Sequence, residues 1–184
     1  STYSLADFMV LDAETRRNLE LTETIREGKV EGSLLGILDK TRSPMGKRLL
    51  RNWVNKPLLS LEEIEKRLDK VDFFYQDGIL RQNLSELFAQ LHDLERLMNR
   101  VSRSLARPPE LAALREDLAL LPEIKALLPA ELSAKLEDFQ EEFDLLQKSI
   151  SDEPPATTNT TGIIKAGYSA ELDEVVSSSQ HARE

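Results

Sequence analysis

The sequence predicts a mainly α protein: packed amphipathic helices, with a few short strands near the N-terminus and around residues 162–168. Three observations predict it. Apolar residues, mostly leucine, recur at three- and four-residue spacing through successive segments. Short breaks rich in Pro, Gly or Asp separate those segments, so consecutive helices are close enough to pack as neighbours. The 40% apolar content is leucine-heavy and only 5% of residues are aromatic, a mix that suits helix packing.

The first thirty residues read as short extended pieces around a helical turn. "FMVLD" is β-prone, "AETRRNLEL" follows it, and "REGKVEGS" is a polar loop. Ser33 then caps a short helix carrying Leu34, Leu35, Ile37 and Leu38. Ser43-Pro44 starts the next helix, a hydroxyl cap followed by proline at the first helical position. At ~100° per residue, Met45, Leu49, Leu50, Trp53 and Val54 fill one half of it, while Lys47, Arg48 and Arg51 fall in the other. Pro57 stops it.

Ser60 and Glu63 form a capping-box pattern ahead of a stripe of Leu61, Ile64, Leu68, Val71 and Phe74. Asp77-Gly78 ends that helix. Residues 79–106 are strongly helical, with Leu84, Leu87, Leu91, Leu94, Met98, Val101 and Leu105 near a 3.5 spacing, and Asp93 is placed to recap a second helix. Pro108-Pro109 breaks the run. Leu111, Leu114, Leu118 and Leu121 then repeat the pattern until Pro122. Residues 132–150 predict one more amphipathic helix through Leu132, Leu136, Phe139, Phe143, Leu146 and Ile150. "SDEPPATTNTTG" is a loop, "IIKAGY" is short and β-prone, and Ser169 begins a last helix.

Charge is uneven. The chain carries −9 overall, with a sequence pI near 4.9, which argues against the whole surface coating nucleic acid or anionic lipid. Residues 110–153 hold twelve acids and four bases, whereas Lys40 to Leu61 hold six bases and no acid. Without cysteine, disulfides and Cys-ligated metals are excluded. The N-terminal stretch lacks signal-peptide character, and no apolar run approaches the ~20 residues of a membrane helix, so cytoplasmic is the expected location.

Each candidate motif has a plain reading beside the sharp one. "PMGKRLL" shares only Gly46-Lys47 with a phosphate loop. Arg48 follows the lysine, Thr41 stands five before the glycine, and the pair lies inside a helix with its amides already used. No aromatics interleave in the basic stretch for base stacking, and Trp53 lies on the apolar face. Glu62-Glu63, Glu141-Glu142 and Asp152-Glu153 are adjacent on helices or loops and do not converge. His92 and His181 have no partner at metal-ligand spacing, and His92 is expected to cap or face solvent. Ser177–Ser179 lack a nucleophile-elbow context. The residues alone describe a helical interaction module without catalytic, cofactor-binding or metal residues.

The order of segments adds a resemblance. "FMVLDAETRRNLEL", "SLLGILDKTRSPMGKRLLRNWVNKPL", "IEKRLDKV", "DLERLMNRVS" and "EPP…GIIKAGYSAELDEV" together resemble the central region of the bacterial MutS family of DNA mismatch-recognition proteins. The resemblance runs from about Phe8 to the C-terminus. Its signature positions are Asn18, Leu19, Thr41, Gly46, Arg48, Leu49, Leu50, Trp53 and Pro57. Two places depart from the common pattern: Pro108-Pro109-Glu110-Leu111 where Pro-Arg-Asp-Leu is usual, and Ser43 where Thr is frequent. Both keep a helix start and a cap.

The resemblance implies that residues 1–168 are the first part of a core, or lever, domain, and that residues 169–184 begin the helix rising to a DNA-holding clamp. The parent protein would be a DNA-dependent ATPase using ATP and Mg, a homodimer on mismatched duplex DNA. This segment, lacking a Walker A sequence, would be non-enzymatic and would contact the connector, clamp and ATPase domains. Lys47, Arg48 and Arg51 are the candidate interdomain face. Phe139-Gln140-Glu141 imitates the family's mismatch-reading Phe-x-Glu. It is set aside because the reader belongs to another domain and Phe139 falls on an apolar helix stripe. Apolar stripes left without their usual neighbours are expected to cause weak self-association or a flexible C-terminal end after about Tyr168. The competing expectations are a free-standing helical adaptor and, more remotely, a carboxylate-based hydrolase.

Overall fold

The computed structural model describes residues 8–181; residues 1–7 of the expected extended start and residues 182–184 of the terminal helix lie outside it. The chain divides into two compact units, Ser1–Ala89 and Gln90–Glu184. The architecture is helical throughout, and among the described residues no helix is long and apolar enough to cross a membrane.

In the first unit, α1 (Ala13–Asn18) begins where the Asp12 carboxylate accepts the Thr15 N–H at 2.6 Å. The chain then turns through Glu20 in the left-handed region, φ 46°. The carbonyls of Glu20 and Leu21 accept the N–H groups of Leu34 and Leu35. Those are first-turn amides of α2 (Leu34–Leu38), which a helix cannot satisfy internally. Leu21 and Leu35 are buried beside this junction. Ser33 caps α2 as expected, accepting from Gly36 at 3.2 Å while its hydroxyl donates to the Val30 carbonyl at 2.6 Å. α2 packs against α3 (Pro44–Asn55), which Ser43 caps and Pro44 opens.

Past Pro57 the expected N-terminal strand shrinks to one antiparallel bridge, Phe8 with Leu58, beside a Met9 N–H to Pro57 carbonyl bond of 2.8 Å. Proline offers no N–H to extend a ladder there, and α1 starts four residues after Met9. α4 (Leu61–Gln76) is capped by Ser60, which accepts the Glu63 N–H, while the Glu63 carboxylate pairs with Lys66 at 2.9 Å. Asp77 ends α4 and also starts α5 (Gly78–Gln90), its carboxylate accepting the Leu80 N–H at 2.9 Å. Gly78 is therefore the first residue of α5, with ordinary helical backbone, and not a left-handed stop.

The second unit is built on α7 (Pro108–Leu127), which packs against α6 (Leu94–Ser102) and α9 (Gln140–Ser149). Leu97, Leu114, Leu118 and Leu121 form its core, lined by Leu94, Val101, Leu136, Phe143 and Leu146. Asp93 recaps α6 as expected, its carboxylate accepting the Arg96 N–H. The interruption at residues 91–93 shifts the helical register. Leu97 is buried and Met98 is half exposed, where an unbroken 3.5 spacing had placed Met98 inside. α6 ends through Ser104, φ 55°, and Leu105 is exposed. Glu110 holds the start of α7: its carboxylate accepts the Arg107 backbone N–H at 2.8 Å and pairs with Arg100 at 2.7 Å. The Pro-Pro-Glu-Leu departure therefore keeps an ion pair at this corner.

Two sequence expectations are corrected here. Pro122 does not end α7, which runs five residues further. Pro122 faces solvent, while Leu121 and Ile124 are buried on either side and hold the helix together through the missing N–H. The single helix expected over 132–150 is instead α8 (Ala130–Ser133), an irregular stretch, and α9. Phe139 precedes α9 in the left-handed conformation, φ 48°, and is 41% exposed, so it lies on no helical stripe. Ile150 is also outside the helix, bridging Ile164, which is all that remains of the strand expected at 162–168. α10 (Ala170–His181) follows, with Ser169 accepting the Leu172 N–H and Asp173 accepting the Gly167 N–H at 2.8 Å.

Candidate functional site

The basic segment around α3 is built from local rules. Ser43 Oγ accepts the Gly46 N–H at 3.2 Å, and the Ser43 carbonyl accepts that of Lys47. Both amides that a phosphate would need are thus spent on the helix start. A Cβ on Gly46 would lie 3.2 Å from that same Oγ and 3.5 Å from the Thr41 Cβ. The glycine of "Gly-Lys" admits the cap; it does not cradle a ligand. Thr41 donates its hydroxyl to Asp39 at 2.6 Å. That bond first, then the Thr41 N–H and the Lys47 charge, hold the Asp39 carboxyl below the usual carboxylate range.

Lys47 and Arg51 are exposed on one side of α3. Lys47 is 3.7 Å from Asp39 and Arg51 is 3.9 Å from Glu23, long pairs that are weak in water. Arg48 is exposed beside them. The opposite side is not sealed, because α3 contains no fully buried residue. Leu50 is half-buried and Leu49 half exposed, and the Trp53 ring carries the Arg67 guanidinium 3.8 Å above its centroid. Leu49, Trp53 and Arg67 line a groove of about 540 Å³ together with the 8–11 segment. Pro57 supports that segment through its carbonyl. Asn18 and Leu19 lie at the exposed end of α1, away from any polar cluster described here.

Two polar clusters in the second unit were not anticipated. Asp117 is fully buried on α7, and its Oδ1 accepts the His92 backbone N–H and lies 2.9 Å from the His92 ring Nδ1. Its Oδ2 has no partner among the described residues. Arg115, also buried, donates to the carbonyls of Ile150 and Ser151 and sits 3.3 Å from Asp152, which pairs with Lys165 at 2.9 Å. Lys165 chiefly, with Arg115 adding charge, holds the Asp152 carboxyl below the usual range. Nothing local in the sequence signals these contacts: Asp117 and Arg115 look like ordinary helix charges until residues 25 and 35 positions away are brought to them.

Among the described residues no three His, Cys, Asp or Glu side chains are placed to hold a metal. Glu62 and Glu63 both pair with Lys66, at 2.7 and 2.9 Å, and Asp152 pairs with Lys165 at 2.9 Å.

A family model described as MutS domain III matches residues 14–182. The chain belongs to the MutS domain III family. Among its relatives are proteins named DNA mismatch repair protein MutS. That of Halothermothrix orenii is 45% identical over 183 residues, covering 95% of this chain and 20% of the relative. That of Syntrophomonas wolfei is 45% identical over 184 residues, covering 97% and 21%. That of Clostridium perfringens is 38% identical over 180 residues, covering 94% and 20%. The chain thus spans about a fifth of the length of the curated relatives it matches. The resemblance read from the ordered sequence segments is thereby established at the level of the family, and the corner around Arg100, Arg107 and Glu110 is one way this MutS domain III starts its longest helix.

Proposed function

We propose that this MutS domain III is the structural and signal-transmitting core segment of a mismatch-recognition ATPase, linking a DNA-holding clamp to an ATPase domain. The observation that supports this most is the family match over 14–182, taken with helices pinned by a buried leucine core. Residues 1–168 serve as the first part of the core, and α10 with the residues after it begins the lever helix. ATP and Mg bind elsewhere in the longer protein, which acts as a homodimer on mismatched duplex DNA in the cytoplasm. Lys47, Arg48 and Arg51 face a neighbouring domain. A rigid body transmits only if both ends bias one two-state element, so stiffness of α7 is the property at issue.

The test replaces the matching segment of the H. orenii protein with this one, then adds glycine at two exposed positions of α7, Glu116→Gly and Glu123→Gly. Each glycine softens the helix by ~1 kcal/mol without touching the core. Expected are unchanged mismatch affinity without nucleotide, unchanged basal hydrolysis, and an ATP effect on mismatch affinity that falls about tenfold. Full coupling in the softened protein would sink the lever reading. The chain alone is expected to show neither ATP hydrolysis nor mismatch preference.

A further inference from the structure

The groove in the first unit is lined by both apolar and cationic side chains, in a chain whose net charge is −9. Leu11, Leu49 and Trp53 line it together with Arg16, Lys56 and Arg67. No acidic residue is among its lining residues; Arg16 donates its Nε–H to the Asp12 carbonyl at 3.4 Å, and its charge, after the Thr15 hydrogen bond, helps to hold the Asp12 carboxyl below the usual range. At about 540 Å³ the groove has the size of sites that take a few side chains. Leu49 stays half exposed there although it lies on the apolar side of α3. The Arg67 guanidinium carbon lies 3.8 Å from the Trp53 ring centroid, a cation–π contact that restrains the guanidinium, whose N–H groups suit a carboxylate.

We propose that this groove docks a short acidic segment of a partner protein, one in which Asp or Glu alternates with Leu-like side chains. The apolar side chains lie on Leu49 and Trp53, and a carboxylate takes the fork of Arg67, with Arg16 and Lys56 drawing further acid. Charge complementarity selects this occupant. A nucleic acid fits less well, since Arg67 already covers the Trp53 face that a base would need for stacking. The inference does not depend on the lever reading and is tested without ATP.

Trp53 is the only tryptophan in the chain, so its fluorescence reports on the groove directly. Three probes are titrated into the full chain: a short peptide alternating Glu with Leu, the same peptide with Lys for Glu, and an oligothymidylate. The acidic peptide is expected to shift the Trp53 emission, to bind more weakly as salt is raised, and to lose about tenfold in affinity in both Arg67→Gln and Arg16→Gln. Far-ultraviolet circular dichroism confirms that each variant is folded. Equal binding of the acidic and basic peptides, or no binding of either, overturns the proposal. Preferential binding of the oligothymidylate overturns it in favour of a nucleic-acid face. A Trp53 shift that follows protein concentration alone overturns it in favour of self-docking.

Discussion

Single residues do most of the local specification, and glycine shows the difference between two kinds of constraint. A Cβ on Gly36 would lie 2.2 Å from the Val30 carbonyl oxygen, a backbone atom fixed by its bonds to Ser33. A Cβ on Gly46 would meet the Ser43 hydroxyl at 3.2 Å, and a hydroxyl can rotate. Urea denaturation should therefore find Gly36→Ala destabilising by about 2–3 kcal/mol, and Gly46→Ala by well under half of that, since alanine also favours helix. Equal losses would show that the Val30–Gly36 approach is not rigid. Glu110 gives a pH-dependent case. The Arg107 backbone N–H, then Arg100, hold its carboxyl below its ordinary 4.5. Its contribution is complete above 4.5, where the unfolded chain is also ionised, and fades as pH falls through the lower folded value. Glu110→Gln should thus cost most near neutral pH, and its stability deficit should shrink as the solution is acidified below 4.5; a deficit independent of pH would refute the assignment. The caps at Ser33, Ser43 and Ser60 were legible in the sequence because cap and amide are three residues apart. Gly36, Asp117 and Arg67 were not, because the atom that gives each its meaning is brought there by folding.

At the scale of elements, periodicity located the helices and failed where a break changed its phase. The run 79–106 shows both: its helical character is real, but the interruption before α6 puts Leu97 inside and leaves Met98 half exposed. The segment 132–150 had the right apolar spacing for one helix, yet Phe139 adopts a left-handed backbone and separates α8 from α9. Pro122 is the converse, a strong stop signal overridden by tertiary packing. It removes an N–H from the middle of α7, at a penalty of about 3 kcal/mol in an unsupported helix. The helix persists because Leu118, Leu121 and Ile124 are buried around it. Since Pro122 itself is exposed, Pro122→Ala should restore the bond without opening a cavity and raise unfolding stability by about 1–2 kcal/mol in the same urea assay. A lower stability would mean that the proline sets a bend on which the α7–α9 packing depends. Lys47, Arg48 and Arg51 are all exposed on α3, but the groove beside them was not legible, because Arg67 and the 8–11 segment reach it from other elements.

Across the whole molecule, burial is distributed very unevenly, and this decides where the chain opens first. α7 contains eight buried residues, the polar side chains of Arg115 and Asp117 among them, whereas α3 and α4 contain none. Along α4 the positions Leu61, Leu68, Val71 and Tyr75 share one face at heptad-like spacing, and all are more than half exposed. Helix propensity alone does not hold such an element, because most helical stability comes from packing of the apolar face. α7 is held from both sides, by the leucine core and by the Arg115 bonds to the 150–151 carbonyls, which would be left unsatisfied if it moved. Native-state hydrogen exchange of the chain should therefore order the helices. The amides of α7 between Ala112 and Leu121 should exchange slowest. Those of α4 should open at least about 2 kcal/mol more easily, about thirtyfold faster at equal intrinsic rates. Replacing Arg115 by Met should narrow that gap by accelerating α7, since it removes the bonds to the 150–151 carbonyls. If α4 instead exchanges as slowly as α7 in the dilute chain, its apolar face is covered by something other than the helices of its own unit, and concentration dependence of the α4 rates would identify a second copy as the cover.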